Sequence, residues 1–353
     1  MNTNRHFFID LLRAVSILGV VLVHILAYNQ TSQLKIFIWS YLQFVVVAFI
    51  FCSVFVLSER YSDKLKNISE IIAWYIKRIV RLLVPLYVYL IVHYTLWFLF
   101  PSLFSGLGLN RSTGFIIQSF LLIGGVSINW LPILFIELAL LFPFLSRLAK
   151  SKLLVTLYTI AAVITTIVIN QKLIPVPDYR FTMWIGWSLV FLLFIVVYNK
   201  EKNDKTLVDS LKRYIFLGSL GLLIFAILAR NDLFQNKIII FFNHKYPPDF
   251  IYLSYTTGMM FFLAALCRLP LPVGKLFKRG VEFLSKNSYS LFFIHFIIFD
   301  LVLTLRSRFT FLSGATTQFF LVLLTSLLAI RISLLIIANF AILKTGKVVS
   351  IYE

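Results

Sequence analysis

The sequence predicts an all-α, polytopic membrane protein, a bundle of about ten spanning helices with both termini on the cytoplasmic side. The composition, the apolar runs and the placement of lysine and arginine support this fold class. Of the 353 residues, 60% are hydrophobic and 13% are charged, whereas a soluble domain carries about 25% charged residues. The mean hydropathy of +0.92 is spread along the chain, so we expect a core shared with lipid.

Ten apolar runs approach the ~20 residues that a helix needs to cross a bilayer. A shorter apolar stretch, 115–125, is predicted to be a re-entrant or interfacial segment. No connecting segment is long enough to form a soluble domain, so residues 1–353 are predicted to be one integral-membrane domain. The ten runs are 9–28, 38–58, 80–100, 130–147, 153–170, 181–198, 213–230, 250–267, 288–305 and 317–343.

The loops predict the orientation of the bundle. Membrane proteins retain lysine and arginine on the cytoplasmic side. With both termini inside, the cytoplasmic segments hold 22 of the 33 Lys and Arg residues and the opposite loops hold 9. The net charge of +19 therefore indicates membrane topology, and no nucleic-acid partner is predicted.

Several other features narrow the class of protein. Cys52 and Cys267 both lie in apolar runs, so neither a disulfide framework nor a metal site is predicted. The first apolar run is longer than the about 7–15 residues typical of a cleavable signal peptide, so it is expected to remain as a span. The longest outer loops, 99–129 and 231–249, are expected to be functional.

The predicted spans contain many ionisable residues. Each costs at least ~2.5–3.5 kcal/mol at the centre of a spanning helix, and such residues usually face the bundle interior or a wet cavity. Their number exceeds what an inert bundle needs, which favours a functional interior. They are Asp10, Arg13, His24, His93, Glu137, His295, Asp300 and Arg331.

The first helix carries the most informative pair. Arg13 and His24 are eleven residues apart, which places them on nearly the same helix face and about 16 Å apart along the axis. Asp10 lies on that face and is positioned to hold the Arg13 guanidinium. Snorkelling of Arg13 to the interface, with His24 as a packing residue, remains an alternative.

A second cluster, Lys77, Arg78 and Arg81, is predicted to open the third span ahead of Pro85. Arg78 and Arg81 share one helix face. A positive-inside anchor is the simpler interpretation of the pair. A phosphate clamp is the alternative, because arginine offers planar, bidentate donors.

The later spans add candidates with open roles. Glu137 needs a partner in the membrane; it could orient His24, pair with an arginine, or form a structural ion pair. Ser288, Tyr289 and Ser290 precede His295, and their hydroxyls could serve helix packing.

Four stretches in order resemble the membrane-bound acyltransferase 3 family: 9–13 followed by His24, the RxxR segment in 77–81, the Trp-to-Pro helix 130–143, and 284–295. Together they cover nearly the whole chain. Two departures stand out. The stretch 55–59 lacks the glycine that commonly follows Ser58, and no soluble hydrolase-like domain follows the last span.

The resemblance implies transfer of an acyl group, commonly acetyl, from cytoplasmic acyl-CoA to a hydroxyl of an extracytoplasmic polysaccharide or glycoconjugate. It implies a bacterial cytoplasmic membrane, lipid and the acceptor glycan as partners, and no permanently bound cofactor or metal. Arg13, Arg78 and Arg81 would bind the phosphorylated end of the donor. His24 would act as general base, with Glu137 catalytic or supporting, and Asp10 and His295 supporting.

Two other function classes also fit the residues. A glycan or lipid transporter would have buried charges along a polar path, although related halves or broken helices in matching positions would be expected as well. A structural assembly partner would use the charges only to fix helix packing.

Overall fold

The protein is almost entirely helical in the computed structural model, which describes residues 7–62, 64–65, 67–110, 112–175, 178–204, 206–270 and 272–345, with side chains as far as 339. Short 3-10 turns and loops join the helices. The α-helices of this part of the chain are α1 (Phe7–Ala27), α2 (Gln33–Tyr41), α3 (Val45–Tyr61), α4 (Ile68–Leu99), α5 (Thr113–Leu121), α6 (Trp130–Leu148), α7 (Lys152–Asn170), α8 (Met183–Glu201), α9 (Leu207–Leu228), α10 (Arg230–Phe234), α11 (Phe250–Arg268), α12 (Lys275–Lys286), α13 (Ser288–Leu305) and α14 (Ala315–Thr345).

Ten segments of the described chain are long and apolar enough to cross a membrane, and each overlaps one of the ten predicted runs. The all-α, polytopic fold class is therefore confirmed. The orientation with both termini inside stays a prediction. The stretch predicted to be re-entrant or interfacial contains the nine-residue helix α5, which ends where Leu122 adopts a left-handed backbone conformation.

Helix α4 differs from its prediction at its start. The apolar pattern predicts that the third span begins at residue 80, whereas α4 begins at Ile68 and has 32 residues. A capping box begins the helix, since the Asn67 backbone N–H donates to Glu70 Oε2 at 3.2 Å and such reciprocal bonds satisfy free amides. Arg78 and Arg81 therefore lie well inside a continuous helix.

Helix α1 lies at the centre of the bundle. It packs against α2, α3, α11, α12, α13 and α14, and most of its side chains are buried. By contrast, α7, α9 and α14 expose long rows of large apolar side chains. Such rows are expected where a helix faces lipid.

The two ends of the bundle are defined here by α1. At the proximal end, where α1 begins, Glu201 of α8 pairs with Arg268 of α11 and accepts a hydrogen bond from the Tyr214 hydroxyl at 2.6 Å. At the distal end, where α1 terminates, Asn29 Nδ2 donates to Gln318 Oε1 at 2.7 Å. Polar pairs thus fasten the helices at both ends.

His93 and Asp300 form a buried pair that fastens α4 to α13. Nε2 of His93 lies 2.9 Å from Asp300 Oδ2, and its Nδ1 lies 2.8 Å from the Tyr89 hydroxyl. The other carboxylate oxygen, Oδ1, accepts the Leu107 N–H at 2.8 Å. Every polar side-chain atom of His93, Asp300 and Tyr89 has a hydrogen-bond partner, which is typical of a structural interaction between helices.

Asp300→Ala is expected to lower the free energy of unfolding by about 3 kcal/mol, because it leaves the buried His93 and the partly buried Leu107 N–H without their acceptor. Asp300→Asn should cost less, since its amide oxygen still accepts the Leu107 N–H. Thermal unfolding of the detergent-solubilised protein measures both, with the exposed Ser333→Ala as control. Equal stability of Asp300→Ala and Ser333→Ala would contradict the structural role.

Candidate functional site

A large cavity opens at the proximal end of the bundle, with a volume of about 760 Å³. Helices α1, α3, α4, α6, α12 and α13 contribute its walls. Two acidic side chains, Asp10 and Glu59, also line this proximal cavity. The excess of positive charge suits an anionic ligand. The cationic side chains that line it are Arg13, Arg60, Lys64, Arg78, Arg81 and Lys286.

Among the arginines that line this cavity, Arg78 has a guanidinium nitrogen that is free to donate a hydrogen bond. Its Nη2 donates to Ser53 Oγ at 3.1 Å, while its Nε is buried without a hydrogen-bond partner. Arg81 and Arg13 line the same cavity, with Arg81 the more exposed. A guanidinium with free donors beside other cations is suited to phosphate. The structure thus brings together the three arginines that the sequence singled out.

Asp10 lies on the wall of the same cavity as Arg13. Ser285 Oγ donates to Asp10 Oδ1 at 2.6 Å, a contact that the sequence did not predict. Since Ser285 lies in the last turn of α12 and Asp10 belongs to α1, this bond fastens the end of α12 to the first helix.

A smaller cavity of about 90 Å³ lies nearer the distal end. His24 forms part of its wall, with Gln43 and Lys245 as further polar side chains. The remaining wall is apolar or aromatic, and its aromatic side chains are Trp39, Trp130, Phe242, Tyr246 and Phe292. Arg13 and His24 therefore face two different cavities on the same helix, as their axial separation requires.

His24 and His295 are neighbours in space, although 271 residues separate them. Nδ1 of His24 lies 3.1 Å from Nε2 of His295, and Nδ1 of His295 lies 2.9 Å from the Leu291 carbonyl oxygen. A carbonyl can only accept, so His295 Nδ1 carries a proton; in the neutral ring, Nε2 is then an acceptor. His24 Nδ1–H donates to it, which leaves the lone pair of neutral His24 on Nε2.

Leu131 and Phe292 separate the two cavities, because these side chains line both of them. Both are buried. The Phe292 ring lies edge-on to His24, with centroids 6.5 Å apart. A ligand in the proximal cavity is therefore one layer of side chains away from His24.

Glu137 and Arg331 lie apart from this arrangement. Glu137 lines neither cavity, and its Oε2 is buried without a hydrogen-bond partner. The structure shows no hydrogen bond between Glu137 and His24, so the predicted catalytic role of Glu137 stays a prediction. Arg331 packs over the ring of Phe283, 4.1 Å from its centroid, and thereby gains a partner that the sequence did not reveal.

Sequence reasoning missed Lys245 and Gln43. Gln43 was hidden inside an apolar run, where an amide is often only a packing residue. Lys245 offered one usable signal, since a lysine in an outer loop goes against the positive-inside bias. Within the described residues, no group of three or more His, Cys, Asp or Glu side chains is arranged to hold a metal ion.

Comparison with known families identifies the family of the chain. The family model described as an acyltransferase domain matches residues 6–337, nearly the whole chain. No curated protein and no solved structure matches the sequence of this chain. On the extent of the family match, the chain belongs to the acyltransferase 3 family and is a multi-pass membrane acyltransferase.

Proposed function

We propose that the protein transfers an acyl group, acetyl in the first instance, from acyl-CoA to a hydroxyl of an extracytoplasmic polysaccharide or other glycoconjugate. One observation carries the proposal: a cation-lined cavity and a histidine-lined cavity meet at one layer of side chains along α1. The first suits a phosphorylated donor and the second suits proton transfer to and from an acceptor.

The proposed orientation puts the proximal end in the cytoplasm of a bacterial cell. The asymmetry of lysine and arginine supports it, since the segments at that end carry most of the positive charge,. Acyl-CoA would then enter from the cytoplasm. The loops of the distal end, including the one that holds Lys245, would face the acceptor.

Arg78, Arg81 and Arg13 would bind the phosphates of the donor. The free Nε of Arg78 and the other cations of the cavity support this role, because a multiply charged anion is bound best by several guanidinium donors. The acyl-bearing arm would extend along α1. Its path covers the about 16 Å between the levels of Arg13 and His24, a distance comparable to an extended pantetheine arm.

His24 would act as the general base at the far end of that path. Its Nε2 lone pair accepts the proton of the acceptor hydroxyl while the oxygen forms a bond to the thioester carbonyl carbon. The C–S bond then breaks, and the thiolate takes the proton from His24 to leave as free thiol. His295 would keep Nε2 of His24 available by accepting the hydrogen bond from Nδ1.

His24→Ala is expected to abolish transfer, because the described side chains that line the distal cavity include no carboxylate and no second histidine that could act as the base. Protein in liposomes is supplied with radiolabelled acetyl-CoA and envelope polysaccharide from the source organism, and labelled glycan is counted. His244→Ala, which changes a histidine outside the cavity, serves as control. Undiminished labelling by His24→Ala would contradict the catalytic assignment, and absence of labelling by the wild type would favour a transporter.

Arg78→Gln is expected to raise the donor KM by roughly 10-fold or more, because a charge-assisted hydrogen bond is worth about 1.5–3 kcal/mol. The acceptor KM should stay unchanged, since Arg78 lines only the proximal cavity. Arg279→Gln is the matched control, an exposed arginine on α12 outside the cavity. Equal effects on both KM values, or an equal effect of the control, would argue against donor binding.

Phe292→Ala is expected to widen the passage between the cavities and to admit longer acyl groups. We expect the ratio of kcat/KM for butyryl-CoA to that for acetyl-CoA to rise by about 10-fold, the order expected for one or two extra methylene groups. Phe293→Ala is the control, because Phe293 is equally buried on α13 but lines neither cavity. A ratio that moves equally in both variants would reject the role of Phe292.

A further inference from the structure

Lys245 is a buried lysine that the proposed chemistry has not yet used. It lies in the loop between α10 and α11, and only 5% of its surface is exposed. Its Nζ donates to Gln43 Oε1 at 3.0 Å. The ring centroids of Trp130 and Tyr246 lie 4.5 Å and 5.2 Å from the same nitrogen. Both polar and aromatic contacts therefore aim the amine into the distal cavity, beside His24.

The charge of Lys245 is only partly compensated. No carboxylate of the described chain lies within salt-bridge distance of its Nζ. Burial lowers the pKa of the Lys245 ammonium to about 7, because desolvation disfavours the charged form. An ammonium held in such a pocket gains more from a nearby negative charge than it would in water.

Acyl transfer creates such a negative charge. When the acceptor oxygen adds to the thioester, the carbonyl oxygen becomes an oxyanion, and enzymes stabilise it with fixed donors. The helical amides of α1 are used within the helix, and His24 is engaged with the acceptor proton. The amide nitrogen of Gln43 donates to the Trp39 carbonyl at 3.2 Å. The Lys245 ammonium remains as the charged donor among the side chains that line the cavity.

We propose that Lys245 is a further catalytic residue, whose ammonium donates a hydrogen bond to the carbonyl oxygen of the transferred acyl group as that oxygen becomes negative. The proposal rests on the proposed acyl transfer. Lys245 keeps its proton throughout: the oxyanion collapses to re-form the carbonyl, and the C–S bond breaks as before. Gln43 acts as a positioning residue, since its amide is fixed by Trp39 and its oxygen holds the ammonium.

The test compares Lys245→Met, which has similar length and no charge, with Lys237→Met, an exposed lysine of the same loop. Each variant in liposomes receives acetyl-CoA with either envelope polysaccharide or hydroxylamine as acceptor. Hydroxylamine is a small nucleophile that needs no glycan-binding contacts. The rate of acetyl transfer to hydroxylamine with His24→Ala is subtracted as the background. Thermal unfolding and the donor KM establish that Lys245→Met is folded and binds the donor.

We expect Lys245→Met to lower kcat by about 10²–10³-fold with both acceptors, the cost of losing one oxyanion donor. Its donor KM should stay within about twofold of the Lys237→Met value, because Lys245 lies outside the proximal cavity. Gln43→Leu, which keeps the ammonium but removes the oxygen that holds it, should lower both rates by a smaller factor. The same factor with both acceptors distinguishes an oxyanion role from binding of the glycan.

Two results would overturn the role of Lys245 while leaving the acyl transfer intact. The first is a kcat of Lys245→Met within about threefold of the Lys237→Met value. The second is a loss seen with polysaccharide alone, which would make Lys245 an acceptor-binding residue. If Lys245→Met loses its thermal unfolding transition, its loss of rate does not support the proposal. The proposal then depends on Gln43→Leu, which must unfold normally and reduce the rates with both acceptors; otherwise the proposal is rejected. Absence of His24-dependent turnover in the wild type would overturn the acyl transfer itself.

Discussion

A polar group inside a membrane bundle must find a partner within the protein or a wet cavity, because lipid offers it neither hydrogen bonds nor charge. This constraint sorts the ionisable residues of the protein into two groups. His93 pairs with Asp300, and Glu201 pairs with Arg268, and both pairs join helices. The arginines of the proximal cavity share it with two carboxylates, Asp10 and Glu59, and this excess of positive charge suits an anionic ligand.

The first helix relates the two halves of the site to each other. A straight α-helix rises 1.5 Å per residue, so Arg13 and His24 are held about 16 Å apart whatever the loops do. Because α1 is packed on several sides, this spacing is a fixed dimension of the bundle. Leu131 and Phe292 then divide the path, which keeps the cationic proximal cavity apart from His24.

The fold could be predicted from the sequence because hydrophobicity is a local signal, and each span can be identified from a window of about 20 residues. The position of Arg13 and His24 on one face of α1 could also be predicted, because it follows from their spacing along a single helix. The start of α4 was predicted too late, because Asn67 and Glu70 begin the helix by capping while the residues that follow are too polar for a span. Local signals therefore located helices better than they located helix ends.

The contacts across helices could not be predicted, because they depend on packing. His295 was identified only as a supporting residue, although its ring lies against His24 in the bundle. Glu137 was expected near His24 or an arginine, since a carboxylate in a span needs a partner, yet it lines neither cavity. Lys245 lies in an irregular loop, where no periodicity indicates which side chains point inward.

In the proposed mechanism, the partner of His24 is the neutral ring of His295, and this affects the stability of the His24 imidazolium. A carboxylate beside a catalytic imidazole stabilises the imidazolium that forms when the base takes a proton. His295 accepts the same hydrogen bond without a negative charge, and Lys245 adds positive charge on the cavity side. The imidazolium of His24 is therefore a short-lived state that gives up its proton readily. A thioester suits such a base, because the departing thiolate takes up that proton as soon as the C–S bond breaks.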